Sequence, residues 1–348
     1  MSRARLSLVT GGAGFIGSHV VRILAARGER VRVLDLDEPA QSFDGVEAVQ
    51  GSICDRATVR AAVDGAEWVF HLAANPDLWA RDKSSFARTN FEGTKTVLEE
   101  AATAGASRIV HCSTESILMR PRGEGETAFD GELTHLTPED MPGPYMRSKF
   151  LAEREAFAAA RAGAPVVIVN PTLPVGPGDR RLTPPTRMLL GFLNGGFPAY
   201  LDFAMNMVDV RHAAFGHILA AERGRIGQRY ILGGVNLTLS ALIAMLAEIT
   251  GRRMPRMRMP YGPALGFAMV AEFLADHITH RSPVAPLAGV RLARAPMVFD
   301  STKAHDELGM PETNLRRALI DSVTWLQSRG LVRRRLPKLC AQGMEPAS

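Results

Sequence analysis

Cysteine is scarce in this chain, and its scarcity excludes two architectures at once. The 348 residues hold three cysteines, Cys54, Cys112 and Cys340, odd in number and scattered. That argues against a disulfide framework and against a zinc site. Long apolar runs are missing as well: none reaches the roughly 18 to 20 residues that a membrane span needs. No charged-then-apolar leader precedes the first strand pattern, so a cytoplasmic protein is expected. There is no internal repeat and no low-complexity segment. The histidines suggest no metal: His277 with His280, and His212 with His217, lack a third ligand and the i, i+4 pairing of zinc proteases. His111, on an apolar strand, reads as packed.

What is present fits an ordinary globular protein, with 46% hydrophobic and 22% charged residues, enough for one large core or two modest ones. The net charge of +5 gathers in Arg252-Arg253-Met254-Pro255-Arg256-Met257-Arg258 and in the stretch from Arg329 to Lys338. Neither is a stripe interleaved with aromatics, so no nucleic-acid partner is expected.

Short β-branched runs alternate with helical stretches over the first 170 residues, the pattern of a parallel sheet wrapped by helices. Strands are read at Leu6 to Val9, Val31 to Leu34, Val46 to Gln50, Trp68 to Leu72, Arg108 to Cys112 and Val166 to Val169. Helices are read near Gly14 to Ala26, Arg56 to Val63 (with Asp55 as N-cap), Phe86 to Thr103 and Tyr145 to Ala160. The expectation is an α/β fold, a doubly wound parallel Rossmann sheet, with a smaller C-terminal α+β substrate region. The first domain is drawn over 1–170, with a strand at 208–210 and a helix at 211–223 packing back on it. After Asn170 prolines crowd the chain, and 171–330 is assigned to substrate binding. Residues 331–348 read as a flexible basic tail.

Thr10-Gly11-Gly12-Ala13-Gly14-Phe15-Ile16-Gly17 follows the first strand and opens a helix. In that context the glycines allow a tight turn and close approach of a pyrophosphate, while the helix N-terminus supplies N–H groups and a positive dipole end. The second strand ends in Asp35, where a carboxylate would hold the adenosine ribose. NAD is therefore favoured over NADP, since a 2′-phosphate would meet a like charge and Arg32 lies on the other strand phase. Asp37 competes with Asp35 for that role.

Tyr145 and Lys149 stand four apart at the head of a helical run, so both project from one face. A phenol titrates near 10, but a nearby ammonium and an oxidised nicotinamide would each favour phenolate. Tyr145 could then move the substrate hydroxyl proton while hydride moves to or from the cofactor. The fifth strand ends in Cys112-Ser113-Thr114, placing small hydroxyls beside the nicotinamide. Thr114 is preferred as the one that bonds the reacting oxygen, with Ser113 as the alternative.

Together these residues resemble the extended short-chain dehydrogenase/reductase superfamily, from about Leu6 to about Leu326. The resemblance includes His71-Leu72-Ala73-Ala74, Asn90-Phe91-Glu92-Gly93-Thr94 and Asn170-Pro171 leading to Gly176-Pro177-Gly178-Asp179. Within the superfamily the chain is most similar to the hopanoid-associated sugar epimerases, through Asp77-Leu78-Trp79-Ala80-Arg81-Asp82, Phe192-Leu193-Asn194-Gly195 and Tyr230 to Thr238. It also looks like 3β-hydroxysteroid dehydrogenases and dihydroflavonol reductases. The resemblance implies that Gly11, Gly14, Phe15, Ile16 and Gly17 form the phosphate loop and Asp35 the ribose ligand. It places Ser52 and Ile53 near adenine, and Leu72, Ala73, Ala74, Asn90 and Pro171 along the cofactor. It makes Thr114, Tyr145 and Lys149 the catalytic triad, and assigns Trp79, Glu115 and Asn170 to substrate. A homodimer is implied too. Two departures stand out: Asp35-Leu36-Asp37 where this group commonly carries an arginine suited to NADP, and Ser52 where members often have aspartate.

Sugar 4,6-dehydratases of the superfamily extend the threonine into Thr-Asp-Glu, whereas this chain reads Thr114-Glu115-Ser116, so dehydration is not expected. Oxidoreduction and epimerisation use the same triad. The apolar C-terminal half, with Met205, Met207, Met254, Met257 and Met259, tilts the reading toward net oxidoreduction of a bulky alcohol or ketone, although such methionines are usually core filling. An inactive dinucleotide sensor would predict a damaged triad, and this one is complete. The apolar stretch Tyr261 to Ala275 is too short to cross a bilayer. It reads first as a buried helix; the alternative is a helix resting on an anionic membrane surface.

Overall fold

The central strands of the first half are apolar on both phases, because both of their faces are covered, whereas the edge strand Val46–Gln50 is partly exposed. In β1 (Leu6–Thr10), Leu8 joins the core on one side of the sheet and Val9 the core on the other, both fully buried. That double burial is what a parallel sheet under two helical layers requires. The computed structural model describes residues 5–39, 41, 43–118, 136–295 and 297–337; Lys338 and Cys340 lie outside the described residues.

From β1 the chain winds outward through β2 (Arg30–Asp35) to β3 (Val46–Gln50). It then crosses back to β4 (Trp68–His71), beside β1, and winds the other way through β5 (Arg108–Cys112) to β6 (Val166–Pro171). Beyond β6 come β7 (Leu173–Val175), β8 (Ala199–Tyr200) and β9 (Ala204–Asp209). The chain then returns as β10 (Arg229–Leu232), which pairs in parallel with β6. The sheet thus has seven parallel strands, ordered β10-β6-β5-β4-β1-β2-β3. Six had been read. The seventh is short and begins with a buried arginine, which breaks the apolar pattern; Arg229 is neutralised by an ion pair with the equally buried Glu153. The remaining strands are β11 (Val235–Thr238), which forms a small sheet with β9 and β7, and β12 (Met257–Arg258), which pairs with β8.

One helical layer holds α1 (Phe15–Ala26). The other holds α2 (Arg56–Val63), a helix that starts as α3 (Ser84–Phe86) and passes through a π-helical stretch, Ala87–Glu92, into α4 (Gly93–Thr103), and then α5 (Pro144–Arg161). Asp55 caps α2 as expected, its side chain accepting from the Ala57 N–H. Farther on, α6 (Pro184–Asn194) packs in the second core, and α7 (Val210–Arg223) lies against α1, with Ala213, Ala214 and Ile218 in that side's core. The main sheet and its layers therefore draw one strand and one helix from beyond residue 170. The second core joins β9 and α6 to α8 (Leu239–Thr250) and, near the end, α11 (Leu315–Ser328). Met205 and Met207 are buried there as core filling.

Between them run α9 (Tyr261–Leu274) and α10 (Leu287–Leu292). The first reading of α9 as buried is wrong. Its buried residues are Ala264 and Ala268, while Phe267, Met269, Val270, Phe273 and Leu274 are exposed. Mean apolarity suggested burial, but small residues face inward and large ones outward. Among the described residues, no helix is long and apolar enough to cross a membrane.

Candidate active site

The sheet reverses its winding between β1 and β4, and the strand ends there open onto a cavity of about 310 Å³. In open α/β sheets such a crevice takes ligands. Its floor is the turn from β1 into α1. Gly11 has φ +73°, and a Cβ there would lie 2.6 Å from the Ala73 nitrogen. A Cβ on Gly17 would lie 2.1 Å from the Gly11 carbonyl oxygen. Only glycine permits both approaches. The N-cap of α1, Gly14, offers no side-chain cap, so the first N–H groups of the helix face the cavity that Gly14, Phe15, Ile16 and Gly17 line. Uncapped N–H groups at a positive dipole end suit a pyrophosphate, and the residues present fit a dinucleotide.

At the end of β2, Asp35 accepts from the Ala13 N–H (3.0 Å) and the Asp37 N–H (3.2 Å). Arg32 is turned away, donating to the Ala62 and Asp64 carbonyls. A different arginine reaches the site: Arg181, distant in sequence, lies 3.3 Å from Asp35 and 2.5 Å from Asp37. Nothing in the local spacing announces it. Ser52, Ile53, Leu72, Ala73, Ala74 and Pro171 also line the cavity.

Asn90, Asn170 and Trp79 do not. Asn90 stands behind the wall, accepting from the Asn75 N–H (2.7 Å) and donating to Ser148 (3.0 Å), which ties the segment after β4 to α5. Trp79 is buried and donates to Asp276, 2.6 Å away. Asn170 is fully buried; its amide donates to the Thr114 carbonyl (2.9 Å) and to Glu153 (2.7 Å), the partner of Arg229. A charged, buried anchor thus holds the Thr114 loop from behind. Glu153 has a sequence signal, since Tyr145, Lys149 and Glu153 recur at successive turns of α5; Arg229 has none.

His71 is a further brace that the motif alone did not explain. Thr94 spends its hydrogen on the Asn90 carbonyl, so it accepts from His71 Nε2–H (2.9 Å), and Nδ1 accepts from Thr10 (2.8 Å). Burial holds the ring neutral, its pKa lowered to about 3.

Thr114, Tyr145 and Lys149 meet at the cavity wall, with Ser113 and Glu115 beside them. Thr114 caps the short helical turn Glu115–Ile117, its hydroxyl donates to Glu115 (3.0 Å), and it lines the cavity together with the Tyr145 phenol. Burial, and then the Glu115 charge, push that phenol above its ordinary range, while Thr114 opposes the rise. Lys149 is buried, which lowers its pKa, and it donates to the Cys112 carbonyl at 2.6 Å. The ammonium is thus fixed by the main chain one helical turn from the phenol.

Burial also pushes the Glu115 carboxyl up from 4.5 to about 7, against the opposing hydrogen bond from Thr114. A carboxyl raised on folding stabilises the fold while protonated, and that contribution is lost as pH rises through its folded value. Relative to Glu115→Gln, which does not titrate, the parent should lose stability between about pH 4.5 and about 7. Urea midpoints on either side of that window read the effect; an unchanged gap between the two proteins contradicts it.

Residues 7–233 match the NAD dependent epimerase/dehydratase family. A "Putative dihydroflavonol 4-reductase" of Synechocystis sp. is 37% identical over 93% of this chain and 95% of its own length. "Sterol demethylase protein B" of Methylococcus capsulatus is 31% identical over 94% of this chain and 99% of its own. Among solved structures, DesIV, a dTDP-glucose 4,6-dehydratase from Streptomyces venezuelae with NAD and TYD bound, superposes with a TM-score of 0.73. It is 27% identical over 93% of this chain and 98% of its own. The chain belongs to the NAD dependent epimerase/dehydratase family, within the extended short-chain dehydrogenases/reductases.

Proposed function

We propose that this protein is an NAD-dependent oxidoreductase acting on a ring-borne secondary alcohol or ketone of a bulky, apolar substrate of sterol or triterpenoid type. The observation that carries the reading is the lining of the cavity. Pro76, Leu78, Leu173, Pro174, Pro184, Pro185 and Leu292 contribute to it, with Thr89, Thr172 and Thr183 as uncharged polar neighbours. Among the described lining residues the cations are Lys149, spent on a main-chain carbonyl, and Arg181, spent on Asp35 and Asp37. A nucleotide sugar would need a cation for its diphosphate; an apolar ring system needs none. The sterol demethylase relative and the dihydroflavonol reductase relative support the same direction.

A bound nicotinamide would supply or accept the hydride. The phenol, held protonated by burial, is suited to give its proton to a carbonyl oxygen as that oxygen gains charge, and Thr114, once its hydroxyl turns from Glu115, to donate a second hydrogen bond to it. Lys149 positions and polarises the same face of α5. For alcohol oxidation Tyr145 must lose its proton, so this direction should gain with rising pH. Glu115 lacks a second carboxylate beside it in Thr114-Glu115-Ser116, which speaks against dehydration.

NAD is the preferred cofactor in this reading, because Asp35 would accept from a ribose hydroxyl and repel a 2′-phosphate. Asp35→Ser would remove the like charge that this phosphate would meet and one of the two carboxylates that hold Arg181. The ratio of kcat/KM for NAD to that for NADP should fall by more than about tenfold; an unchanged ratio contradicts the assignment.

The broader test offers NAD together with sterols, triterpenoid alcohols and nucleotide sugars, following reduced nicotinamide and epimers separately. Reduction of NAD by the ring alcohols is expected, with Tyr145→Phe losing about 10²- to 10⁴-fold in turnover while still binding cofactor. Formation of a sugar epimer without net reduction of NAD would replace this reading by epimerisation.

A further inference from the structure

Helix α9 is built in reverse for a helix that faces water. Ala264, Ala268 and, just past its end, Ala275 are turned inward. Phe267, Met269, Val270, Phe273, Leu274 and Ile278 are turned outward and are between 40% and 64% exposed. No charged residue occurs from Met259 to Ala271. An apolar patch of this kind is uncommon on a surface that stays in water and marks an interaction site.

The stretches that flank the patch, 252–260 and 281–295, carry charge of one sign. The two acidic residues of the segment are engaged with the protein: Glu272 accepts from the Leu287 N–H at 2.9 Å, and Asp276 accepts from Trp79 and pairs with Lys83 at 3.0 Å. Arg253, Arg256, Arg281, Arg291 and Arg294, in the flanking segments, are all exposed. A second copy of this chain would bring the same arginines against one another, which like-charge repulsion disfavours. An anionic bilayer satisfies both features, its acyl region taking the apolar side chains and its headgroups the arginines.

We propose that α9 and the turn after it seat this protein on the surface of an anionic membrane. The face adjoins the cavity. Leu292, at the end of the neighbouring α10, lines the cavity wall, and so does Leu78, next to the Trp79 that Asp276 holds. An apolar substrate leaving the bilayer beside α9 would meet this wall first. The inference concerns a surface and stands whatever alcohol or ketone the cavity takes, so its test requires no turnover.

The experiment co-sediments the purified full chain with vesicles of phosphatidylcholine containing phosphatidylglycerol, and with phosphatidylcholine alone. The chain should pellet with the anionic vesicles, and salt should weaken the binding. The double substitution Val270→Glu with Phe273→Glu should lower partitioning by more than about tenfold. Arg256→Gln and Arg281→Gln should each lower it about fivefold on anionic vesicles and leave any binding to neutral ones unchanged. Because these side chains are exposed, NAD affinity should be unaltered in every variant, which verifies that each is folded. Failure of the parent to pellet with either vesicle, or binding that ignores the two glutamates, overturns the proposal. So does a dimer of the parent that the glutamates convert to monomer without any vesicle binding, which would assign the face to a second copy.

Discussion

Everything at the centre of this protein depends on how closely the start of α1 approaches the end of β1. Gly17 lies against the Gly11 carbonyl, and Gly11 against the main chain at Ala73. That contact docks the helix on the sheet, sets the distance from β1 to the segment after β4, and leaves the first N–H groups of α1 facing the crevice. A single methyl at either glycine would push the floor of the cavity apart. The parallel sheet supplies the crevice, through its reversal of winding between β1 and β4, and the glycines make it narrow enough to hold a dinucleotide.

The second constraint is burial of charge. Lys149, Glu115, Glu153 and Arg229 are all withdrawn from water near one strand end. Glu153 and Arg229 neutralise each other, and Glu153 accepts from Asn170, which donates to the Thr114 carbonyl. Burying an ion pair seldom adds stability by itself, so its position behind the cluster of Thr114, Tyr145 and Lys149 is better understood as fixing geometry. Burial then sets the chemistry of those groups: it keeps the phenol protonated, brings Glu115 to about 7, and leaves His71 neutral at about 3.

The parts of this arrangement that depend on neighbours in sequence were legible from the sequence. The glycine turn, Asp35 at a strand end and Tyr145 with Lys149 on one helix face are all local patterns, and the first six strands follow from β-branched runs that need no partner to be seen. What escaped depends on distant pairing. Arg229 could not be read as a strand residue without knowing that Glu153 neutralises it. Arg181 reaches Asp35 only because the proline-rich loop folds back over β2. Asn170 and Trp79 sit within motifs that suggested contact with substrate, yet the Asn170 amide N–H groups and the Trp79 indole donate inside the protein, while the buried Asn170 Oδ1 has no partner among the described residues. The error at α9 has another origin: hydropathy records how apolar a helix is, whereas its placement turned on size, with alanines inward and phenylalanines outward.

The central claim is that hydride passes between nicotinamide and a carbon of a bulky apolar ring while Tyr145 handles the proton. Reduction of a ring ketone with NADH deuterated at the transferable position, followed by mass spectrometry of the alcohol, tests this most directly. The product formed by the parent protein should carry one deuterium at the carbinol carbon. An alcohol formed without the label, or consumption of label-bearing cofactor only when a nucleotide sugar is supplied, would contradict it.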